Sequence, residues 1–364
     1  MFVLAAVGVL ALLIFVHELG HFLAARLQGI YANKFSIGFG PALLRYQGPM
    51  TEYALRIIPL GGYVGFPDED PESDIDPTDP NLLQNRPILD RAIVISAGVI
   101  ANLVFAYVIL VSQVSIVGVM TGYNFEPGVV IPQVVESNSA ATAAGLRSGD
   151  VVLQADGQVF EASENSVQSL INLIQSSAGK PLRFVVQRDG ELIPLTVEPR
   201  LEEDGVGHIG VQLAPNGKPL FRRPNSLAEP FRKAAKQFEQ LFQQIVDGFT
   251  MLVMNFGETA PQLKGPVKIV EFGADIARTD SGSLFFFAAF ISINLAFINI
   301  LPLPALDGGQ LAFLLIEGLL GKPLPQKFQA AVMQTGLLVL LTVGVFLIIR
   351  DTTQLTWVQQ FFPS

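Results

Sequence analysis

The sequence predicts a polytopic α-helical membrane protein with four transmembrane helices and an inserted soluble α+β domain. Composition is the first observation behind this. Of 364 residues, 50% are hydrophobic and only 15% are charged, and the mean hydropathy of +0.45 lies well outside the range of ordinary soluble domains. Spacing is the second. Residues 92–120, 281–306 and 328–349 carry no charge, and another apolar run opens at Phe2. Each is long enough for the roughly 20 residues that cross a hydrocarbon core. The third is the drop in hydrophobicity between the second and third runs, which marks the insertion.

The first run could be a signal peptide, but no basic residue precedes it. His17, Glu18 and His21 also stand where a small-residue cleavage context belongs. The membrane part therefore begins with residues 1–123, holding two spans. An acidic loop over 67–80, with "DEDPESDID" at 68–76, reads as a solvated, mobile connection. It contributes to a formal charge of -9, and nothing in the chain points to nucleic acid. The absence of cysteine excludes disulfides and thiolate metal ligands.

Residues 124–215 read as the soluble domain. Short β-rich runs at 129–135, 150–157, 182–190 and 192–199 alternate with Gly, Asn and Asp turn signals. A helix over 166–177 places Val167, Leu170, Ile171 and Ile174 on one face. Residues 216–280 read as amphipathic helices at the membrane surface. In 238–253, Phe238, Leu241, Phe242, Ile245, Phe249 and Leu252 follow helical spacing opposite a polar face, and 265–277 repeats the pattern. Residues 281–364 supply the last two spans. No internal repeat is visible.

The chemistry starts from "FVHELGHFLAAR" at residues 15–26, inside the first span. Ionisable groups in a membrane face the protein interior or a wet cavity and usually serve a functional site. On a helix, positions i and i+4 share a face, so His17 and His21 aim their imidazoles at one point. Glu18 then sits beside a bound metal as a base without ligating it. A lone intramembrane histidine is more often satisfied by neighbouring backbone, but the complete His-Glu-x-x-His is not explained that way. A catalytic zinc takes three protein ligands, and "NILPLPALDGG" at 299–309 offers Asp307, the first charge after 26 uncharged residues. Pro302 and Pro304 interrupt the helix before it, as is tolerated where membrane-depth backbone is buried or lines a cavity. Gly308 and Gly309 allow close approach. His208, in a Gly-rich turn, reads as an ordinary surface residue.

Topology agrees with that pairing. With the N-terminus outside, His17 lies roughly 22 Å along the first span and Asp307 at the inner end of the third. Both then fall in the inner half of the membrane. Lys322, Lys327, Arg26 and Arg91 flank inner loops, in line with the positive-inside tendency.

Together these motifs resemble the bacterial site-2 proteases, the intramembrane zinc metalloproteases that include the regulator of sigma-E protease. "FVHELGHFLAAR" matches the metal helix, "NILPLPALDGG" the third-ligand motif, and residues 38–64 a re-entrant β-hairpin, placed here at 35–64. "SAATAAGLRSGDVV" at 139–152 with the following "ADGQ" resembles a PDZ domain. The resemblance implies a polytopic α-helical membrane protein, four transmembrane helices with a re-entrant β-hairpin, plus an inserted α+β PDZ domain. It implies one Zn2+ per chain on His17, His21 and Asp307, with Glu18 as base. Asn294 and Asn299 hold substrate, Asn102 binds substrate backbone or the oxyanion, and a hairpin edge around Gly38 and Gly40 receives the unwound substrate as a strand. The PDZ ligand turn falls at Ile209, Gly210 and Val211.

Implied partners are the lipid bilayer and single-span membrane proteins, such as an anti-sigma factor or leftover signal peptides, already trimmed by another protease. A bacterial inner membrane is implied, with the PDZ domain outside. The chain departs from the pattern in having a single PDZ module and in Val99, where proline is usual. Two other classes compete. A metal transporter should show inverted repeats and more intramembrane ligands, and a catalytically dead scaffold should lack Glu18 or a ligand.

Overall fold

The computed structural model describes residues 1–70, 73–134, 139–202, 205–260, 263–279 and 282–353. Small parts of the expected elements lie outside the described residues: 71–72 of the acidic loop, 135 of the first expected strand and 281 of the third apolar run. The chain divides into two compact units, Met1–Gly118 with Pro224–Ser364, and Val119–Arg223.

The first unit opens with α1 (Phe2–Leu27), whose last turn gives way to Gly29 at φ 74°. A sheet follows, made of β1 (Lys34–Gln47) and β2 (Glu52–Gly65). Its register is more elaborate than a hairpin. Residues 44–47 pair antiparallel with 52–55, while 34–37 pair with 52–55 in parallel and with 62–65 antiparallel. The hairpin is folded on itself into four short segments, in the order 44–47, 52–55, 34–37, 62–65. Gly38, Gly40 and Gly61, at φ 86°, 84° and 97°, make the corners, because residues with a Cβ avoid that region. Arg56 ties the fold together, donating to Ser36 Oγ (2.8 Å), Gly40 O (2.7 Å) and Tyr63 Oη (3.1 Å). No further strand pairs with this sheet among the described residues, so the outer edge of 62–65 is open.

The acidic loop carries an exposed tip, with Asp74, Asp76, Pro77, Thr78 and Pro80 exposed, between two buried ends. Phe66 is buried in a cluster with Ala25, Ile30 and Val94, Leu82 is buried as well, and Tyr31 N donates to Asn81 O. The acidic side chains serve as turn acceptors: Asp76 for Thr78, Asp79 for Asn81, and Asp68 for the Gln84 amide. Apolar residues on either side anchor the ends of the loop, and the local caps shape its turns. After the loop comes α2 (Ile88–Ile116).

The second unit is a six-stranded antiparallel sheet with one main helix. Its strands are β3 (Val119–Val130), β4 (Val151–Ala155), β5 (Leu182–Arg188), β6 (Glu191–Val197) and β7 (Ala214–Arg222), ordered β7-β3-β4-β5-β6, with Gln158–Val159 paired to β4. The helix α3 (Asn165–Gln175) packs Leu170 and Ile174 onto a core of Val129, Val152, Phe160, Phe184 and Val186. The expected limits of 124 and 215 fall inside β3 and β7. The long ribbon between these strands was masked by the Gly and Pro within "VMTGYNFEPGVV" and "APNGKPLFR".

The chain then returns to the first unit with α4 (Glu229–Met254), α5 (Pro266–Thr279), α6 (Ser283–Ile300), α7 (Asp307–Leu320) and α8 (Gln326–Thr353). Amphipathicity gave α4 correctly as a helix, but its apolar stripe faces protein. Ala234, Leu241 and Ile245 are buried with Ala106 and Leu110 of α2 and Ala289 and Ile293 of α6. An apolar stripe does not distinguish lipid from a neighbouring helix. Likewise α5 abuts α1 and α6, with Gly273 against Ala6 and Phe287. Among the described residues, four helices are long and apolar enough to cross a membrane: Phe2–Leu27, Ile88–Ile116, Ser283–Ile300 and Lys327–Thr353.

Candidate metal centre and active site

In α1, His17 and Glu18 are buried and His21 lies one turn on. Two glycines, one on α1 and one on α2, permit this. Gly20 lets α2 approach closely, since a Cβ there would come 2.5 Å from Ala97 O. Gly98 provides the space for both rings: a Cβ would overlap His21 Nε2 and stand 2.8 Å from His17 Cε1. In bilayers helices associate through close packing of this kind rather than through hydrophobic burial.

Asp307 arrives from the other side. Helix α6 stops at Ile300 because Leu301 precedes Pro302 and is extended. The turn that follows contains Ala305 at φ 70°, a costly conformation for a residue with a Cβ. It is held from α8 by Met333 Sδ, which accepts from Ala305 N at 3.3 Å, and by Gly336, which fits directly against Pro304. Asp307 then begins α7. Gly308 and Gly309 lie against the carbonyls of Leu301 and Leu303, so a Cβ at either position would push the aspartate away.

The result is a tight triangle. Asp307 Oδ2 is 3.3 Å from His17 Nε2 and 3.4 Å from His21 Nε2, and the two nitrogens are 3.3 Å apart. Bonds of about 2.0–2.1 Å at tetrahedral angles put zinc ligands about 3.3–3.4 Å from one another, so the three atoms fit one face of a zinc tetrahedron. Asp307 Oδ2 is buried without a hydrogen-bond partner, which a cation would supply. Among the described residues this is the group of His and carboxylate side chains that could hold a metal.

Around the triangle, His21 Nδ1 faces Val94 O at 2.8 Å and His17 Nδ1 faces Asn102 Nδ2 at 3.3 Å. Asn299 Nδ2 lies 3.2 Å from His17 Nε2, on the metal side of that ring. Asn294 instead turns back toward Phe290 O at 3.5 Å. Glu18 is covered by the sheet: a Cβ on Gly62 would sit 2.8 Å from Glu18 Cγ.

The profile of Peptidase family M50 matches residues 5–343. The chain belongs to this family, the site-2 proteases. A protein named as a zinc metalloprotease in Nostoc sp. is 59% identical over 100% of both chains, and another in Synechocystis sp. is 58% identical over 99% of this chain and 97% of that one. A chloroplastic membrane metalloprotease of Arabidopsis thaliana is 45% identical over 98% of this chain and 80% of its own length. Among solved structures, a PDZ domain from Listeria innocua aligns with 24% of this chain and 92% of that chain at 24% identity and a TM-score of 0.21, too slight a likeness to argue from. This M50 chain is a zinc metallopeptidase embedded in a membrane.

The structure brings His17, Glu18, His21, Asp307, Asn102 and Asn299 of the M50 enzyme together. It does not bring Gly38 and Gly40 to them: a Cβ at either would meet Ile58 first, and both serve as corners. Gly62, Gly98 and Gly20, which the sequence motifs do not single out, give the close approaches around these side chains. A signal existed in α2, where Ala97 and Ala101, and Gly98 and Asn102, are pairs of small or polar residues at i, i+4.

In the second unit, Ile209, Gly210 and Val211 line a groove whose other wall includes Ile171 and Ile174 of α3. His208 lines it too. The "AGLRSGD" stretch is organised by Asp150, which is buried and accepts from Arg188 Nε (2.7 Å), Arg188 Nη2 (2.8 Å) and Arg147 N (2.8 Å).

Proposed function

We propose that this M50 peptidase cleaves the transmembrane segment of single-span membrane proteins, with His17, His21 and Asp307 as zinc ligands and Glu18 as general base. The observation that carries the reading is the triangle of donor atoms beside a buried carboxylate, set among helices apolar enough to span a bilayer. Zinc in that triangle would polarise the scissile carbonyl and lower the pKa of the attacking water. Glu18 takes the proton of that water and returns it to the leaving amine. Asn299, on the metal side of His17, donates to the carbonyl oxygen. Asn294 binds exposed substrate backbone one turn earlier on α6.

A substrate helix must unwind before its peptide bonds can be attacked, because its carbonyls are engaged in i to i+4 hydrogen bonds. The open edge of 62–65 would receive the unwound stretch as an added strand. Gly62 against Glu18 makes this edge a better seat than the Gly38 and Gly40 corners. The sheet would then be the re-entrant element of the membrane part. We further propose that the second unit is a PDZ module on the outer side of a bacterial cytoplasmic membrane. Its groove at Ile209, Gly210 and Val211 would bind extended termini or restrict access to substrates already trimmed by another protease. Anti-sigma factors and leftover signal peptides are the substrate classes of that description.

The test is proteolysis of a model span by the purified protein, with zinc measured in parallel. Replacing His17, His21 or Asp307 by Ala should empty the site. Glu18→Gln should keep zinc yet lose roughly 10²–10⁴-fold in rate. Normal zinc in the three alanine variants, or near-normal cleavage by Glu18→Gln, refutes the assignment.

A further inference from the structure

Val94, Gly98 and Asn102 are spaced at i, i+4 and i+8 on α2, and each meets the histidine pair. Val94 O faces His21 Nδ1 at 2.8 Å, and a carbonyl can only accept, so that nitrogen carries the proton. His21 Nε2 is thereby left with a lone pair for the metal. Gly98 gives the rings their room. At the other end of the stripe, Asn102 is completely buried and stands 3.3 Å from His17 Nδ1.

The same logic applied to His17 requires an acceptor at that position. An imidazole that offers Nε2 to a cation holds its proton on Nδ1. The Asn102 group facing it is Nδ2, while Asn102 Oδ1 is buried with no partner. A half-turn of the carboxamide, whose two ends are assigned from hydrogen bonding, resolves both mismatches. His17 Nδ1–H then donates to Oδ1. The backbone at this point is fixed from α6, since Ser292 Oγ donates to Asn102 O at 2.8 Å.

We infer that Asn102 is a positioning residue: it accepts the Nδ1 proton of His17, fixes the tautomer that presents Nε2 to zinc, and does not touch substrate. This departs from the role in binding substrate or oxyanion that the family resemblance implies for it. A donor to the oxyanion belongs on the Nε2 side of His17, where Asn299 stands, and Asn102 lies behind the ring. The inference rests on the reading of His17 as a ligand.

The two roles separate in a pair of variants of the intact, detergent-solubilised chain, with zinc retention titrated against a chelator and peptidase rate measured alongside. Asn102→Leu keeps the volume and removes the acceptor, so zinc binding should weaken about 10–100-fold, as is typical for loss of a ligand's hydrogen-bond partner. Asn102→Asp accepts but cannot donate, and should recover what the leucine variant loses in both readouts. Normal zinc retention in Asn102→Leu overturns the inference. So does an aspartate variant with full zinc but a rate as low as that of the leucine variant, the behaviour of a lost oxyanion donor. Should the buried aspartate prevent folding, zinc retention by Asn102→Leu, checked for helix content, decides alone. His17→Ala is the control. If it retains zinc, the ligand assignment fails rather than the role of Asn102.

Discussion

Glycine does different work at the metal centre of the first unit and in the tight turns of the second. At the metal centre it makes room. A Cβ at Gly20 would come 2.5 Å from Ala97 O, at Gly62 2.8 Å from Glu18 Cγ, and at Gly98 2.8 Å from His17 Cε1. In the second unit the turn glycines Gly145, Gly149, Gly157 and Gly190 have φ of 81° to 90° and nothing within 4 Å of an added Cβ. They supply backbone conformations rather than space. A crowded polar centre among apolar helices leaves no room for a methyl group, whereas these open turns admit one at the cost of strain.

The sharpest way to break this contrast is Gly98→Ala. The new methyl would overlap His21 Nε2, so α2 must retreat and Val94 O and Asn102 with it. Zinc retention should fall at least about tenfold, the scale of a lost supporting shell, and cleavage should fall to background. Full zinc by elemental analysis would mean that the gap between α1 and α2 is adjustable, and the contrast would dissolve.

A smaller effect is expected in the second unit at its buried charge. Burial raises the Asp150 carboxyl, but hydrogen bonds from Arg188 and the Arg147 amide, with the nearby positive charges, outweigh it and hold the group below its ordinary value of 3.8. Its folded-state pKa is therefore the lower one. The stabilisation is complete above the unfolded-state value and is lost as pH falls through the folded-state value. Asp150→Asn should cost roughly 2–3 kcal/mol near neutrality and flatten the acid dependence below about pH 4. Hydrogen exchange of residues 119–223 in the intact chain reads both effects, and zinc content should not move. A variant with unchanged acid sensitivity would remove Asp150 as the group responsible.

The smallest effect sharpens the comparison directly. Gly149→Ala meets no neighbour, so only the conformation is penalised, by about 1–2 kcal/mol. Local exchange should rise around Arg147 and Asp150 while the rest of the unit keeps its protection. A change as damaging as Gly98→Ala would show that space also matters there.

Much of this molecule can be read along one chain. Uncharged run length places the four apolar helices, because the thickness of a bilayer is a one-dimensional constraint. The i, i+4 spacing puts His17 and His21 on one face, because helix geometry is local. The prolines at 302 and 304 stop α6 ahead of Asp307 by covalent structure alone. "ADG" and "RDG" foretell the tight turns in which Asp156 and Asp189 take positive φ before Gly157 and Gly190.

Tertiary structure decided what these groups meet, since that depends on residues far apart in sequence. Only packing could show that Asn102 lies behind His17 while Asn299 lies in front of it, for the two asparagines are chemically identical. Only packing could give Gly62 rather than Gly38 or Gly40 to Glu18, because a strand folded on itself brings its last segment where the sequence suggests its first. Helix α4 teaches the same point from the other side. Composition measures how strongly a segment prefers water or oil, but the neighbouring α2 and α6 set which surface α4 actually finds.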